Sequence, residues 1–402
     1  MRIALLNQFY PPSDAPTGLL LDDLGRALAA SGHRVEAICS DRDYNDPTLR
    51  YPAIDQVGGV EVRRVGGTRL GRGSRAGRAI DYLNFLTRAG ARLLAGRRAD
   101  VVVVLTTPPM LAAPVMAVAA LKRTRVVFWV MDVYPDLAFE LGVIRRESAG
   151  GRLLSALSSR LLRAADVVVA LGETMATRLG EAGARRVETV HNWADGEAIR
   201  PLPTDGHALR RAWGWNARTV VQYSGNMGLA HEFDTVLDAA AGLLHRPEIL
   251  FAFVGGGPRR AEVEQQARRR GLRNVEFRPW VAQDRLGESL TAGDVHLVTL
   301  RPGLEGLLVP SKIYGILAAG RPTLYVGPAR CEVGRIVEQG CCGIRVERGD
   351  AAELARCIER YADDRALRDE HGRAARETFE RSFDRRRALS RLCAIVTATD
   401  AD

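Results

Sequence analysis

No two of the six cysteines stand in a CxxC spacing, and Cys341 and Cys342 are adjacent. That speaks against a zinc ligand set and a disulfide framework, and makes buried thiols in a reducing cytoplasm the expectation. No secretory leader is expected either. The apolar run of MRIALLNQFYPP extends only from Ile3 to Leu6 and reads as a first strand. A membrane span is also absent. Residues 101–121 carry no charge, but Thr106-Thr107-Pro108-Pro109 cuts them into a buried strand and a buried helix, each too short to cross a bilayer. The expected protein is soluble or peripheral. A GxGxxG fingerprint is lacking as well: VGGGPRR follows the strand at 249–254, which argues against a dinucleotide cofactor.

What is present is a basic, core-forming composition. The 402 residues are 46% hydrophobic and 26% charged, with a net charge of +9. Such a balance favours nucleic acid, anionic headgroups or phosphorylated substrates as partners. No nucleic-acid module is evident, so nucleic acid is the least expected of the three. Short apolar runs recur at helix-length intervals: 3–6, 35–39, 101–105, 126–130 and 166–171, then 219–225, 249–257, 275–277, 294–300, 322–327 and 343–346. Runs apolar on both faces suit parallel strands covered by helices on each side, an α/β doubly wound architecture. The series occurs twice. Two Rossmann-like domains are expected, 1–195 and 196–375, facing a cleft, with a helical tail at 376–402 that packs back on the first.

Glycine turns follow the strands of the second series. In YSGNMGLAHEF, Gly225 and Gly228 bracket Asn226; such a turn lets backbone N–H groups approach a phosphate, although a plain tight turn reads equally well. Asn226 and His231 add polar groups near the expected ligand edge, and Glu232 reads as a solvated helix start. Gly256 in VGGGP suggests another close backbone approach. The backbone of Trp280 or Val281 could lie against a flat base; a surface aromatic without a role is the bland alternative. In RPGLEGLLVPSKIYGILAAGRP, Ser311 reads as the N-cap of a helix opening at Lys312, with a buried face of Ile313, Ile316 and Leu317 and a stop at Gly320. A lysine at a helix start makes an anion site; the alternative is a lysine that reaches solvent. Gly303 and Gly306 flank Glu305 in the loop before it.

In the first series, NQFYPP and the prolines after it form a loop over the first strand, with Gly18 facing a sugar or phosphate and a helix starting near Leu19. Asp132, at the end of the strand 126–130, could bind an acceptor hydroxyl or act as a base. Asp136 reads as a helix cap, and His191 and Asn192 as structural residues at the hinge. Residues 60–98 hold arginines at 63, 64, 69, 72, 75, 78, 88, 92, 97 and 98 against only Glu61 and Asp81. A basic amphipathic segment suits an anionic membrane face, and Arg-rich solvent faces read equally well.

Together, NQFYPP with Gly18, DVYPD, YSGNMGLAHEFDTVLDAA, VGGGP and VPSKIYGILAAGRP resemble the GT-B glycosyltransferases of family 4, in particular the WbuB-like sugar transferases of surface-polysaccharide synthesis. They span both domains in the family's order. The resemblance implies a retaining, metal-independent enzyme that needs no cofactor and takes a nucleotide-sugar, a UDP-sugar, as substrate in the C-terminal domain. The acceptor, a glycan or a polyprenyl-diphosphate-linked sugar, would bind the N-terminal domain at the inner face of the plasma membrane. The implied donor set is Gly18, Gly225, Asn226, His231, Gly256, Val281, Glu305, Ser311, Lys312 and Ile313, and the implied catalytic residues are Asp132 and Lys312. The chain departs from the family in two ways. Asn226 and His231 stand where an Arg and a Lys are usual, and Leu307 and Gly315 stand in place of a Glu-x7-Glu pair. The alternatives are a UDP-sugar 2-epimerase of the same fold and a non-catalytic assembly partner.

Overall fold

The computed structural model describes residues 1–46, 48–67 and 75–398, without the side chains of residues 75, 76, 78 and 79. The chain divides into two compact units. Unit 1 comprises Met1–His191, Gly306–Leu308 and the segment from Leu389 on; unit 2 comprises Asn192–Glu305 and Val309–Ala388.

Among the described residues, unit 1 is built on an eight-stranded sheet. Its strands are β1 (Arg2–Leu6), β2 (Arg34–Ser40), β3 (Ile54–Val57), β4 (Val60–Val65), β5 (Val101–Leu105), β6 (Arg125–Trp129), β7 (Val167–Ala170) and β8 (Val187–Thr189), in the order β3-β4-β2-β1-β5-β6-β7-β8. The VVVV core of β5 is buried at every position, as a strand covered on both faces requires. The sheet is parallel except at one edge, where β3 pairs antiparallel with β4. This hairpin corrects the reading of 60–98 as one basic amphipathic segment. Gly58 and Gly59, at φ +57° and +85°, make the two-residue turn that folds β3 back on β4. Arg64, on β4, is buried and paired with Asp55 of β3 at 3.0 Å. The rest of the basic segment is mainly the helix Arg75–Ala95. Its Arg92 pairs with Glu36 at 2.6 Å, so that charge too is spent inside the fold. Arg69 and Arg72 lie outside the described residues.

Unit 2 has β9 (Thr219–Ser224), β10 (Ile249–Val254), β11 (Val275–Arg278), β12 (Val295–Thr299), β13 (Thr323–Val326) and β14 (Gly343–Val346), all parallel, in the order β11-β10-β9-β12-β13-β14. Numbered within the unit this is 3-2-1-4-5-6, and the order reverses between β9 and β12, where the loops beyond the strand ends diverge and leave a crevice. Tyr223, Phe251, Phe253 and Phe233 fill the core beneath that crevice. Each such side chain contributes roughly 1.5–3 kcal/mol by leaving water, so the floor of the crevice is firmly packed.

Candidate functional site

The crevice of unit 2 is bounded by the turns after β9 and β10 and by the segment after β12. Gly225 and Gly255 end their strands with φ +128° and +134°, and Gly257 follows at +124°. The turns are in close contact: a Cβ on Gly255 would fall 2.4 Å from the Gly225 carbonyl oxygen, and one on Gly257 would fall 2.3 Å from Asn226 Oδ1. Only glycine permits both the backbone angle and the approach. The Tyr223 hydroxyl donates to the Asn226 carbonyl at 2.8 Å and pins the first turn.

Lys312 enters this crevice from the start of the helix Lys312–Ala318. Its Nζ lies 3.4 Å from the centroid of the Tyr223 ring and beside the bare α-carbon of Gly225, whose Cβ would stand 3.6 Å away. The amine is buried and has no hydrogen-bond partner among the described residues. An ammonium over an aromatic face gains roughly 0.5–2 kcal/mol, whereas burying an unpaired ion costs several. Desolvation wins, and it holds the amine well below the ordinary lysine pKa. The expectation of a lysine reaching solvent is thereby excluded.

Ser311 and the helix start contribute less than the sequence suggested. Ser311 is exposed, has helical backbone angles and makes no side-chain cap bond. The helix has seven residues, and the N–H groups of Ile313 and Tyr314 already donate to Pro310 and Ser311 at 3.2 Å each. Ile313 is fully buried. The anion reading therefore rests on the Lys312 amine and not on the helix end. Gly225 is also corrected: its N–H donates to the Val254 carbonyl at 2.9 Å, and what calls for glycine there is its φ of +128°. Gly256 faces Trp280, whose Nε1 would lie 2.7 Å from a Cβ there. Val281 packs its side chain on the cluster around Trp215 and Val254.

His231 lies in the same crevice. Its Nδ1 bonds the Thr299 carbonyl at 2.8 Å, and its carbonyl accepts from Arg259 at 2.8 Å. A nitrogen against a carbonyl carries the proton, so Nε2 is left as an acceptor. Burial, reinforced by the Lys312 charge and opposed by the Thr299 bond, pushes its pKa down to about 3. Glu232 is buried instead of solvated, with Oε1 accepting from Thr235 N at 3.0 Å. Glu305 is the last residue before the chain passes into unit 1, and it is half-buried.

Unit 1 holds the remaining residues. Asp132 follows β6, and its N–H donates to Thr106 Oγ1 at 3.2 Å. Desolvation raises its carboxyl to about 6. Asp136 opens the helix Asp136–Glu140 but pairs with Arg146 at 2.6 Å without capping. Gly18 does not sit in a loop. It lies inside the helix Pro16–Ala30, and a Cβ there would meet the Phe9 carbonyl at 2.9 Å, so it serves packing of the loop on the helix. His191 Nδ1 lies 2.9 Å from the Leu171 carbonyl. Among the described residues no cluster of three His, Cys, Asp or Glu could hold a metal ion. Tyr223 and Thr299 were missed from the sequence. The signal for Tyr223 was a phenol in an otherwise buried strand, two residues before the glycine turn.

Residues 20–193 match the model of the glycosyl transferase 4-like domain, and 218–364 that of glycosyl transferases group 1. The glycosyltransferase WbjE of Pseudomonas aeruginosa is 31% identical over 274 residues, 66% of this chain and 67% of that protein. The colanic acid biosynthesis glycosyl transferase WcaI of Escherichia coli K12 is 28% identical over 405 residues, 97% and 98% of the two chains. Among solved structures, Anabaena HepE in complex with UDP-glucose superposes with a TM-score of 0.76 at 18% identity, covering 99% of this chain and all of that one. WaaG, a glycosyltransferase of lipopolysaccharide biosynthesis, gives 0.74 at 17% with the same coverage. With both halves of the fold and both family domains in place, the chain belongs to the GT4-like glycosyltransferases of the GT-B fold.

Proposed function

We propose that this glycosyltransferase takes a UDP-sugar donor, seats its diphosphate against Lys312 at the Gly225 turn, and transfers the sugar with retention to a glycan or lipid-linked acceptor of surface-polysaccharide synthesis. The observation that carries the reading is the buried, unpartnered Lys312 amine at the point where the strand order reverses. The name of WcaI and the UDP complexes of HepE support the choice of pathway and donor.

As the glycosidic bond breaks, negative charge gathers on the leaving diphosphate. An ammonium fixed beside it strengthens its hold in the transition state more than in the ground state. This charge serves in place of a divalent metal. His231, neutral, accepts through Nε2 and does not add a competing cation. Asp132 positions the acceptor hydroxyl; with its carboxyl at about 6 it is ionised at neutral pH. No enzymic nucleophile is needed if the leaving phosphate oxygen takes the acceptor proton. The exposed stripe Ile80, Leu83, Arg88 and Leu94 on the helix Arg75–Ala95 supports peripheral docking on an anionic membrane.

The test is calorimetry with UDP. Lys312→Ala should weaken binding tenfold or more, the loss of one charge-assisted contact. An unchanged dissociation constant in the variant overturns the assignment.

A further inference from the structure

At the opposite end of the unit 2 sheet from Lys312 lies a cavity of about 560 Å³, within the size range of small-molecule sites. Its wall includes Thr219 at the start of β9, Asp294 just before β12 and Pro322 just before β13. Gly225 follows the other end of β9. Six residues of strand at about 3.3 Å each therefore separate this cavity from the donor crevice.

One wall is the helix Arg365–Ser382, in which 365, 368, 369, 372, 373 and 376 follow the three-and-four spacing of a single face. Gly372 lets that helix close on the turn at Gly320: a Cβ there would stand 2.6 Å from the Gly320 carbonyl oxygen. Seven arginines and four carboxylates line the space. The fold uses some of this charge. Arg210 is paired with Asp294 at 2.9 Å, and Arg376 donates to the carbonyls of Ile199 and Ala318 at 2.9 and 2.7 Å. Arg365 stands loosely between Asp205 and Asp369, at 3.6 and 3.8 Å.

The surplus is positive and open. Arg321 is largely buried; its Nη2 donates to the Leu202 and Thr291 carbonyls, and among the described residues no carboxylate pairs with it and its Nε has no partner. Arg218 and Arg373 are exposed and make no side-chain hydrogen bond or ion pair among the described residues. Guanidinium forks meet phosphate oxygens in pairs, and several converging on one space suit a multiply charged anion better than a single carboxylate.

We propose that this cavity is a second anion site, binding a small phosphorylated molecule through Arg218, Arg321 and Arg373, apart from the donor phosphates. Inorganic pyrophosphate is the probe, titrated into the full-length protein by calorimetry and by thermal shift, since a ligand of the folded state raises its melting temperature. The double variant Arg218→Ala/Arg373→Ala, at exposed positions, should lose at least tenfold in affinity. Lys312→Ala should keep that binding, and so should Arg268→Ala/Arg269→Ala, an equal charge loss on the helix Arg260–Arg269. Absence of pyrophosphate binding, unchanged binding in the first double variant, loss on Lys312→Ala, or equal loss in the control pair would each overturn the proposal.

Discussion

Lys312 and His231 compete for one positive charge in one crevice. The lysine charge helps hold the imidazole neutral, and burial acts against both. The imidazole has a consequence for stability. Its folded pKa of about 3 lies below the unfolded value of 6.5, so in that window the unfolded chain binds a proton that the folded chain refuses. Stability therefore falls as pH drops from 6.5 towards 3, by up to about 1.4 kcal/mol per pH unit for this one group. His231→Gln should flatten that slope by close to one proton in urea unfolding measured at pH 6.5, 5.5 and 4.5; an unchanged slope would show the imidazole to be protonated in the fold. Activity should show an acid limb near pH 6 from Asp132, absent from the residual activity of Asp132→Asn. Lys312 stood out in the sequence, because a lone lysine before an apolar helix is conspicuous. Tyr223 beneath it was not, since the pairing depends on two segments 89 positions apart meeting at one strand end.

Elements were legible where their chemistry is local. The parallel strands were readable as apolar runs, and the turn after Gly320 as a glycine followed by a proline. The β3–β4 hairpin was not: β4 reads VEVRRV, and Arg64 looked like a solvent charge until Asp55 of β3 supplied its partner, as Glu36 of β2 does for Arg92 of the following helix. Ser311 misled for a related reason. A serine before a helix is a cap only if its backbone is extended, and here Pro310 and Ser311 are drawn into tight turn bonds. The glycine turns of unit 2 give a sharper expectation. Gly257→Ala would place a methyl group 2.3 Å from Asn226 Oδ1 and 2.6 Å from Met227 N, at a φ of +124°. It should cost about 1–3 kcal/mol in chemical denaturation and weaken UDP binding, whereas Gly271→Ala, whose Cβ meets nothing, should leave UDP binding unchanged.

For the whole molecule, the α/β architecture was legible twice over because each unit repeats the same alternation. Charge distribution was legible only as a total. The net +9 said nothing of which arginines are free, and the structure spends Arg64, Arg92 and Arg210 internally. Arg88, Arg97 and Arg98 remain exposed, alongside Ile80, Leu83 and Leu94. The protein should co-sediment with vesicles containing anionic lipid at low salt and release as salt rises; failure to sediment at low salt would remove the docking face. The division of the chain carries a consequence for heredity. Each unit is discontinuous in sequence, and the backbone changes unit after His191, Glu305, Leu308 and Ala388. Leu307 accepts from Val133, and the carbonyls of Ile395 and Val396 accept from Arg125. A gene fusion that exchanges halves at a single junction after His191 would thus give unit 1 a foreign three-residue insert and a foreign tail. Hybrids should fold well only when four crossovers, or close parents, keep those pieces together.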